Sequence, residues 1–203
     1  MLQGFIQNAR RVVTQPNVAS FDATQAAANW NTVLLAVGAL GVVRGLTGAI
    51  TAYYLPTAFL GLNVPVQNAI NPVTDIIGGL IGGVIGAFIG FFVGAGILYL
   101  IARAFGGTGQ FMAYSHALAL AYVPLGIGIA VLSLIPILGA LAALAGGIYA
   151  IYLAILATSS THRLTMGKSV AVVLIPAAVA AVLALCAITL FAAALAVYLH
   201  GAR

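Results

Sequence analysis

Asp22 and Asp75 are the only carboxylate side chains in a sequence of 203 residues, which contains no glutamate. Acid–base catalysis by a carboxylate pair needs the two groups close together with their pKa values driven apart. Asp22 precedes the first long apolar stretch and Asp75 opens the second, so a chain that crosses a membrane between them leaves them on opposite sides. His116, His162 and Asp22 fall towards one side and are residue types that bind zinc and other transition metals. Dozens of residues separate them, with none of the short spacings of a metal motif, so no metal or other cofactor is expected. Ser159, Ser160 and Thr161 adjoin His162, and a hydroxyl beside an imidazole is the start of a hydrolytic site. Such a site also needs an orienting acid and an oxyanion hole, and no motif for either accompanies it. The expected roles are structural, with His162 capping the end of its helix and His116 hydrogen-bonding within the helix bundle. These residues do not add up to an enzyme.

Arg44 is the basic residue inside an apolar stretch. At the centre of a bilayer an arginine costs about 2.5–3.5 kcal/mol on insertion scales, so it must have a partner or reach water. If its helix ends at "GLTG", residues 45–48, the side chain can snorkel to a nearby surface. If the helix runs on to Tyr53, Arg44 lies about 13 Å deeper and needs a polar cavity or an ion pair. Asp75 is the candidate partner, making Arg44 and Asp75 a possible intramembrane functional pair. Asp75 also has a local role, because Asn71-Pro72 reads as an N-cap and first helical residue. An acid in that first turn favours the positive end of the helix dipole.

Tyr114, Tyr122, Tyr149 and Tyr152 fall on neighbouring stretches, where they either line a cavity or hydrogen-bond between helices. Pro124 and Pro176 interrupt the hydrogen-bond ladders of their helices. The stretch "GGLIGGVIGAFIGFFVGAG" places Gly78, Gly82, Gly86, Gly90 and Gly94 at every fourth position. In a membrane span such a glycine zipper lets another helix approach closely. Packing inside the chain, against the Gly38, Gly41, Gly45, Gly48 face of the first span or the alanine-rich fifth, is the expected use, with homodimerisation as the rival.

The elements that position these residues follow from composition. The chain is 64% hydrophobic and 4% charged, against about a quarter charged in soluble domains, so it cannot cover a globular surface with polar groups. Apolar stretches of bilayer-crossing length predict five transmembrane helices, near 30–53, 74–102, 112–134, 137–158 and 169–199. Residues 1–15 do not read as a cleavable signal; Leu2, Phe5, Ile6, Ala9, Val12 and Val13 recur at helical spacing opposite Asn8, Arg10 and Arg11. That is a short amphipathic helix, either lying in the membrane interface or packed on the rest of the protein. The expected organisation is an N-terminal segment, 1–29, and a five-helix domain, 30–203, in an all-α integral membrane protein. With the N-terminus cytoplasmic, Arg10, Arg11, Arg103, Arg163 and Lys168 lie inside and Arg203 outside, as the positive-inside rule requires. The net charge of +5 then reflects topology and contact with anionic lipid headgroups, with no nucleic acid as partner. Cys186, the single cysteine, allows no internal disulfide.

Three segments carry a family likeness. "RRVVTQPNVASF" is similar to the basic-apolar, proline, then phenylalanine entry of the Yip family (Ypt/Rab-interacting proteins), particularly its bacterial members. "GGTGQFMAYSHALALAYVPL" resembles that family's glycine-rich loop and following helix, with Tyr114, Tyr122 and Pro124 as its aromatics and proline. "IYAIYLAILATSSTHRLTMGKSVAVVLIP" resembles its aromatic-bearing helix, polar turn with a histidine, and final helix opened by a lysine. The Asp-Leu-Tyr-Gly-Pro motif of eukaryotic members does not occur in this sequence, so Rab binding is not carried over. The resemblance implies a membrane-trafficking or membrane-organising role in eukaryotic members and no set activity in bacterial-type ones. With the amphipathic N-terminal helix and the scarcity of reactive groups, the expectation is a non-enzymatic scaffold of the membrane-organising or trafficking type that recruits a membrane-protein partner or a second copy of itself. Its contacts on the cytoplasmic face would be Arg10, Arg11, Arg103, His162, Arg163 and Lys168. If the chain is bacterial, the inner membrane is the expected location. The alternative is a small transporter or channel with Arg44 in a polar intramembrane pathway.

Overall fold

The structure, a computed structural model, describes residues 2–54 and 72–201. The connection expected around Pro56 and Pro65 lies outside the described residues, as does the side chain of Asp75. The described residues form helices without strands: α1 (Leu2–Thr14), α2 (Val18–Asp22), a 3-10 turn (Gln25–Ala27), α3 (Trp30–Tyr54), α4 (Pro72–Ala104), α5 (Phe111–Leu132), α6 (Pro136–His162) and α7 (Met166–Gly201). Five of them, α3 to α7, are long and apolar enough to cross a membrane, and the protein is an all-α integral membrane protein.

Local chemistry sets the helix ends. The Asn29 side chain accepts from the Thr32 backbone N–H at 2.8 Å and from the Thr32 hydroxyl at 2.7 Å, which caps α3. Pro72 and Pro136 begin α4 and α6, where a missing N–H costs nothing. Arg163 ends α6 in the left-handed region, at φ 56°. α5 and α7 continue through Pro124 and Pro176, so neither helix is divided into two.

The amphipathic α1 is packed on the protein. Phe5, Ala9 and Val12 are buried in the same core as α5 and α6, while Arg10 and Arg11 point outwards. The Tyr149 hydroxyl donates to the Val13 carbonyl at 2.5 Å, which ties α1 to α6.

The closest helix contact joins α3 and α4 antiparallel, and its residues differ from those expected. A Cβ at Gly41 would stand 2.6 Å from Val84 Cα, and one at Gly45 2.5 Å from the Gly79 carbonyl oxygen. From the other side, a Cβ at Gly83 would stand 2.6 Å from the Gly41 oxygen and the Gly45 Cα. The ridge of Gly78, Gly82, Gly86, Gly90 and Gly94 meets nothing: a Cβ at any of them has no neighbour within 4 Å. The seam is the row one residue further on, Gly79 and Gly83 followed by Ala87 and Ala95, both buried. The reason lies in the rows on either side, each turned about 100° from the next. Ile77, Ile81, Ile85, Ile89 and Val93 precede the ridge and are exposed, whereas Phe88 and Phe92 follow the seam and pack on the core. Turning the aromatic row inwards and the β-branched row to lipid brings Gly79 and Gly83 to α3 and leaves the ridge facing out.

This assignment predicts unequal effects of two leucines on α4. Gly83→Leu should destabilise the protein by about 3 kcal/mol or more, beyond ordinary overpacking because backbone is what it strikes. Gly86→Leu should change stability by less than about 0.5 kcal/mol. Thermal unfolding in detergent checks the pair; equal losses would refute the seam.

Candidate functional site: the polar end and the intramembrane arginine

Polar residues at the end of α6 are engaged with those of α2 and the 3-10 turn. The Ser160 hydroxyl donates to Asp22 Oδ1 at 2.6 Å, and Gln25 Nε2 donates to Asp22 Oδ1 at 3.0 Å and to Ser160 Oγ at 2.9 Å. Arg163 Nη1 lies 3.5 Å from the same carboxylate oxygen. The Ser159 hydroxyl donates to the Leu164 carbonyl at 3.0 Å. Asp22 thus fastens α2 to α6, and neither serine pairs with His162 as a nucleophile would with its base. Among the described residues, His116, His162 and Asp22 are not gathered into one metal-holding group.

His162 is 1% exposed. That corrects its expected place among the surface contacts: the end of α6 is covered by the glycine-rich α4–α5 turn. A Cβ at Gly107 would stand 2.7 Å from His162 Nδ1 and 2.8 Å from the Ala102 carbonyl oxygen. A Cβ at Gly109 would stand 2.6 Å from the Thr161 carbonyl oxygen, and the Thr108 N–H donates to the His162 carbonyl at 3.2 Å. The turn can therefore lie on α6 only without side chains at these two positions.

The imidazole closes a chain of rings. Trp30 meets Phe111 at 5.8 Å, Phe111 meets Tyr99 at 5.3 Å, Tyr99 meets His162 at 5.4 Å, and His162 meets Tyr114 edge-on at 4.7 Å. These residues belong to α3, α5, α4 and α6, so the chain binds four spans at one end. Thr158 donates to the Ala154 carbonyl at 2.7 Å and accepts from the buried Tyr114 hydroxyl at 2.8 Å. His116 is buried edge-on to Phe5, with ring centroids 6.3 Å apart. Of the tyrosines, Tyr114 and Tyr149 bond between helices, Tyr122 packs on the core and Tyr152 is exposed.

The cations are open to the surroundings. Arg10, Arg11, Arg103, Arg163 and Lys168 are all exposed. Lys168 Nζ donates to the Phe105 carbonyl at 3.1 Å, and Arg103 Nη1 donates to the Gly107 carbonyl at 3.3 Å, so two of them also clasp the turn that covers His162.

Arg44 stands apart from this end. α3 continues to Tyr54, so the arginine lies well within its span. Its side chain reaches α5, where a Cβ at Gly126 would stand 3.3 Å from Arg44 Nη2. Arg44, Thr47, Gly48, Thr51 and Ala52 of α3 face Gly126, Ile129, Ala130 and Ser133 across a cleft of ≈ 610 Å³. Asp75 stands on α4 one turn before Gly79, and pairing with Arg44 would involve a side chain outside those described.

Residues 10–199 match the family model of the Yip1 domain. The chain belongs to the Yip family. Its Yip domain takes in α1 from Arg10 onwards, the ring chain, the covered His162 and the Arg44 cleft alike. No curated protein and no solved structure matches the chain.

The packing at the polar end predicts two stability losses. Gly107→Ala should cost about 1–3 kcal/mol because its methyl group meets His162 and the Ala102 carbonyl. Tyr114→Phe should cost about 0.6–1.5 kcal/mol through one lost interhelical hydrogen bond. Unfolding midpoints in detergent read both; a Gly107→Ala protein as stable as the parent would contradict the close approach.

Proposed function

We propose that this Yip-family protein is a non-enzymatic membrane scaffold whose N-terminal side faces the cytoplasm. There it organises membrane or recruits a membrane-protein partner. The observation that carries the reading is the division of labour among its polar groups. Asp22, Ser160, Gln25, Tyr114 and Thr158 hold helices together. Arg10, Arg11, Arg103, Arg163 and Lys168 remain exposed. Each exposed cation that reaches anionic headgroups contributes about 1 kcal/mol, which favours contact with a charged leaflet or an acidic partner.

The transporter reading rests on Arg44. Against it stands the form of the cleft: its lining begins at Arg44 and Gly126 and runs only towards Ser133. On the other side of Gly126, Leu40 fills the space, with its Cδ1 2.8 Å from where a Cβ of Gly126 would stand. A pathway must continue past Gly126, and Leu40 stands there.

The scaffold reading is checked by photo-crosslinking from Gln3 and Gln7, which are exposed on α1. In native membranes the expected result is a discrete crosslinked polypeptide that disappears in the Arg10→Glu, Arg11→Glu double variant. Solute flux in liposomes that is lost in Arg44→Ala would overturn it.

A further inference from the structure

The Arg44 cleft has no part in the cytoplasmic-face reading, and its chemistry is specific. Among the described residues no acid pairs with Arg44; the one ion pair there joins Arg163 and Asp22. A guanidinium offers five donors and no acceptor, so the cleft supplies hydrogen-bond donors at its inner end. Its hydroxyls are committed in the opposite sense. Thr47 donates to the Val43 carbonyl at 3.0 Å, Thr51 to the Thr47 carbonyl at 2.6 Å and Ser133 to the Ala130 carbonyl at 2.6 Å. With their protons held by the helices, these three oxygens turn only lone pairs outwards. The cleft therefore complements an anion whose neighbouring groups are themselves donors.

Position narrows the ligand further. From Gly126 to Ser133 the rise along α5 is about 10 Å, and Ser133 begins the turn into α6. The cleft thus reaches from the interior of the membrane towards the surface at which α5 ends. Gly48 and Arg44 are exposed, so it is also open at the side, where lipid lies. At ≈ 610 Å³ it falls within the range of small-molecule sites, about 300–1,000 Å³, and is larger than a lone phosphate would need.

We propose that this cleft binds the headgroup of an anionic phospholipid, with the phosphodiester on Arg44 and headgroup hydroxyls donating to Thr47, Thr51 and Ser133. Arginine is suited to such a phosphate because its planar fork makes two charge-assisted hydrogen bonds at once. The bound lipid supplies the counter-charge that an arginine in a span requires.

Native mass spectrometry of the full-length protein, with phosphatidylglycerol as the probe and phosphatidylcholine as the donor-free comparison, tests this. One phosphatidylglycerol should be retained about tenfold or more tightly than phosphatidylcholine. That preference should be lost in Arg44→Gln and restored at least partly in Arg44→Lys. Gly48→Leu should also lose it, because a side chain at Gly48 has open room and fills the cleft without meeting the core. Arg10→Gln, Arg11→Gln should leave this one lipid in place. Retention unchanged in both Arg44→Gln and Gly48→Leu would overturn the site. Displacement of the lipid by millimolar inorganic phosphate would overturn the lipid assignment in favour of a free anion.

Discussion

The contact on which the rest depends is the approach of two helix backbones at Gly41, Gly45, Gly79 and Gly83, where any Cβ would come within about 3 Å of a neighbouring main chain. Lipid offers no hydrophobic drive between spans, so close packing has to supply the attraction. The seam does more than join α3 to α4, because it also sets the rotation of α3 about its axis. With Gly41 and Gly45 turned to α4, Leu40 and Arg44 are turned to α5, and both reach Gly126. The cleft at Arg44 is a consequence of that rotation. A side chain at Gly126 would meet the ends of Leu40 and Arg44, so the small residue there gives both of them room.

At the other end of the spans a different interaction takes over. Rings from Trp30 to Tyr114 run through α3, α5, α4 and α6, with His162 next to last in the chain. The imidazole packs among aromatic rings beneath the glycine turn, and neither of its ring nitrogens has a hydrogen-bond partner among the described residues. The exposed cations occupy the periphery, where Arg103 and Lys168 each take a turn carbonyl and still present charge outwards. The molecule therefore has two distinct chemistries. One is a basic surface at the polar end. The other is a single cation lining a cleft that opens towards the opposite end.

Much of this architecture was legible in the residues. Hydropathy and span length located α3 to α7 within a few residues, because twenty apolar residues have one use in a bilayer. Arg44 was conspicuous for the same reason. The glycine seam lies one position from the row that the four-residue spacing suggests. Gly78-Gly79 and Gly82-Gly83 begin two parallel small rows, and four-residue spacing cannot say which row turns inwards. The flanking rows decide it, Ile81 and Ile85 against Phe88 and Phe92, and that signal was present in the sequence. The ring chain was not legible, since Trp30, Tyr99, Phe111, Tyr114 and His162 come from four helices and share only their nearness to span ends. Nor was the burial of His162, which depends on Gly107 and Gly109 having no side chains to keep the turn away.

Disulfide trapping tests the seam most directly. In a Cys186→Ser background, Ala49→Cys can be combined with Gly79→Cys or with Gly78→Cys and exposed to a mild oxidant in native membranes. A Cβ at Gly79 would stand 3.2 Å from the Ala49 Cβ, close to the spacing of about 3.5–4.5 Å in a disulfide, whereas one at Gly78 meets nothing within 4 Å. Rapid intramolecular crosslinking of the 49–79 pair and none of the 49–78 pair is the predicted result. Crosslinking through position 78 with none through 79 would contradict the seam, and with it the rotation that aims Arg44 at its cleft.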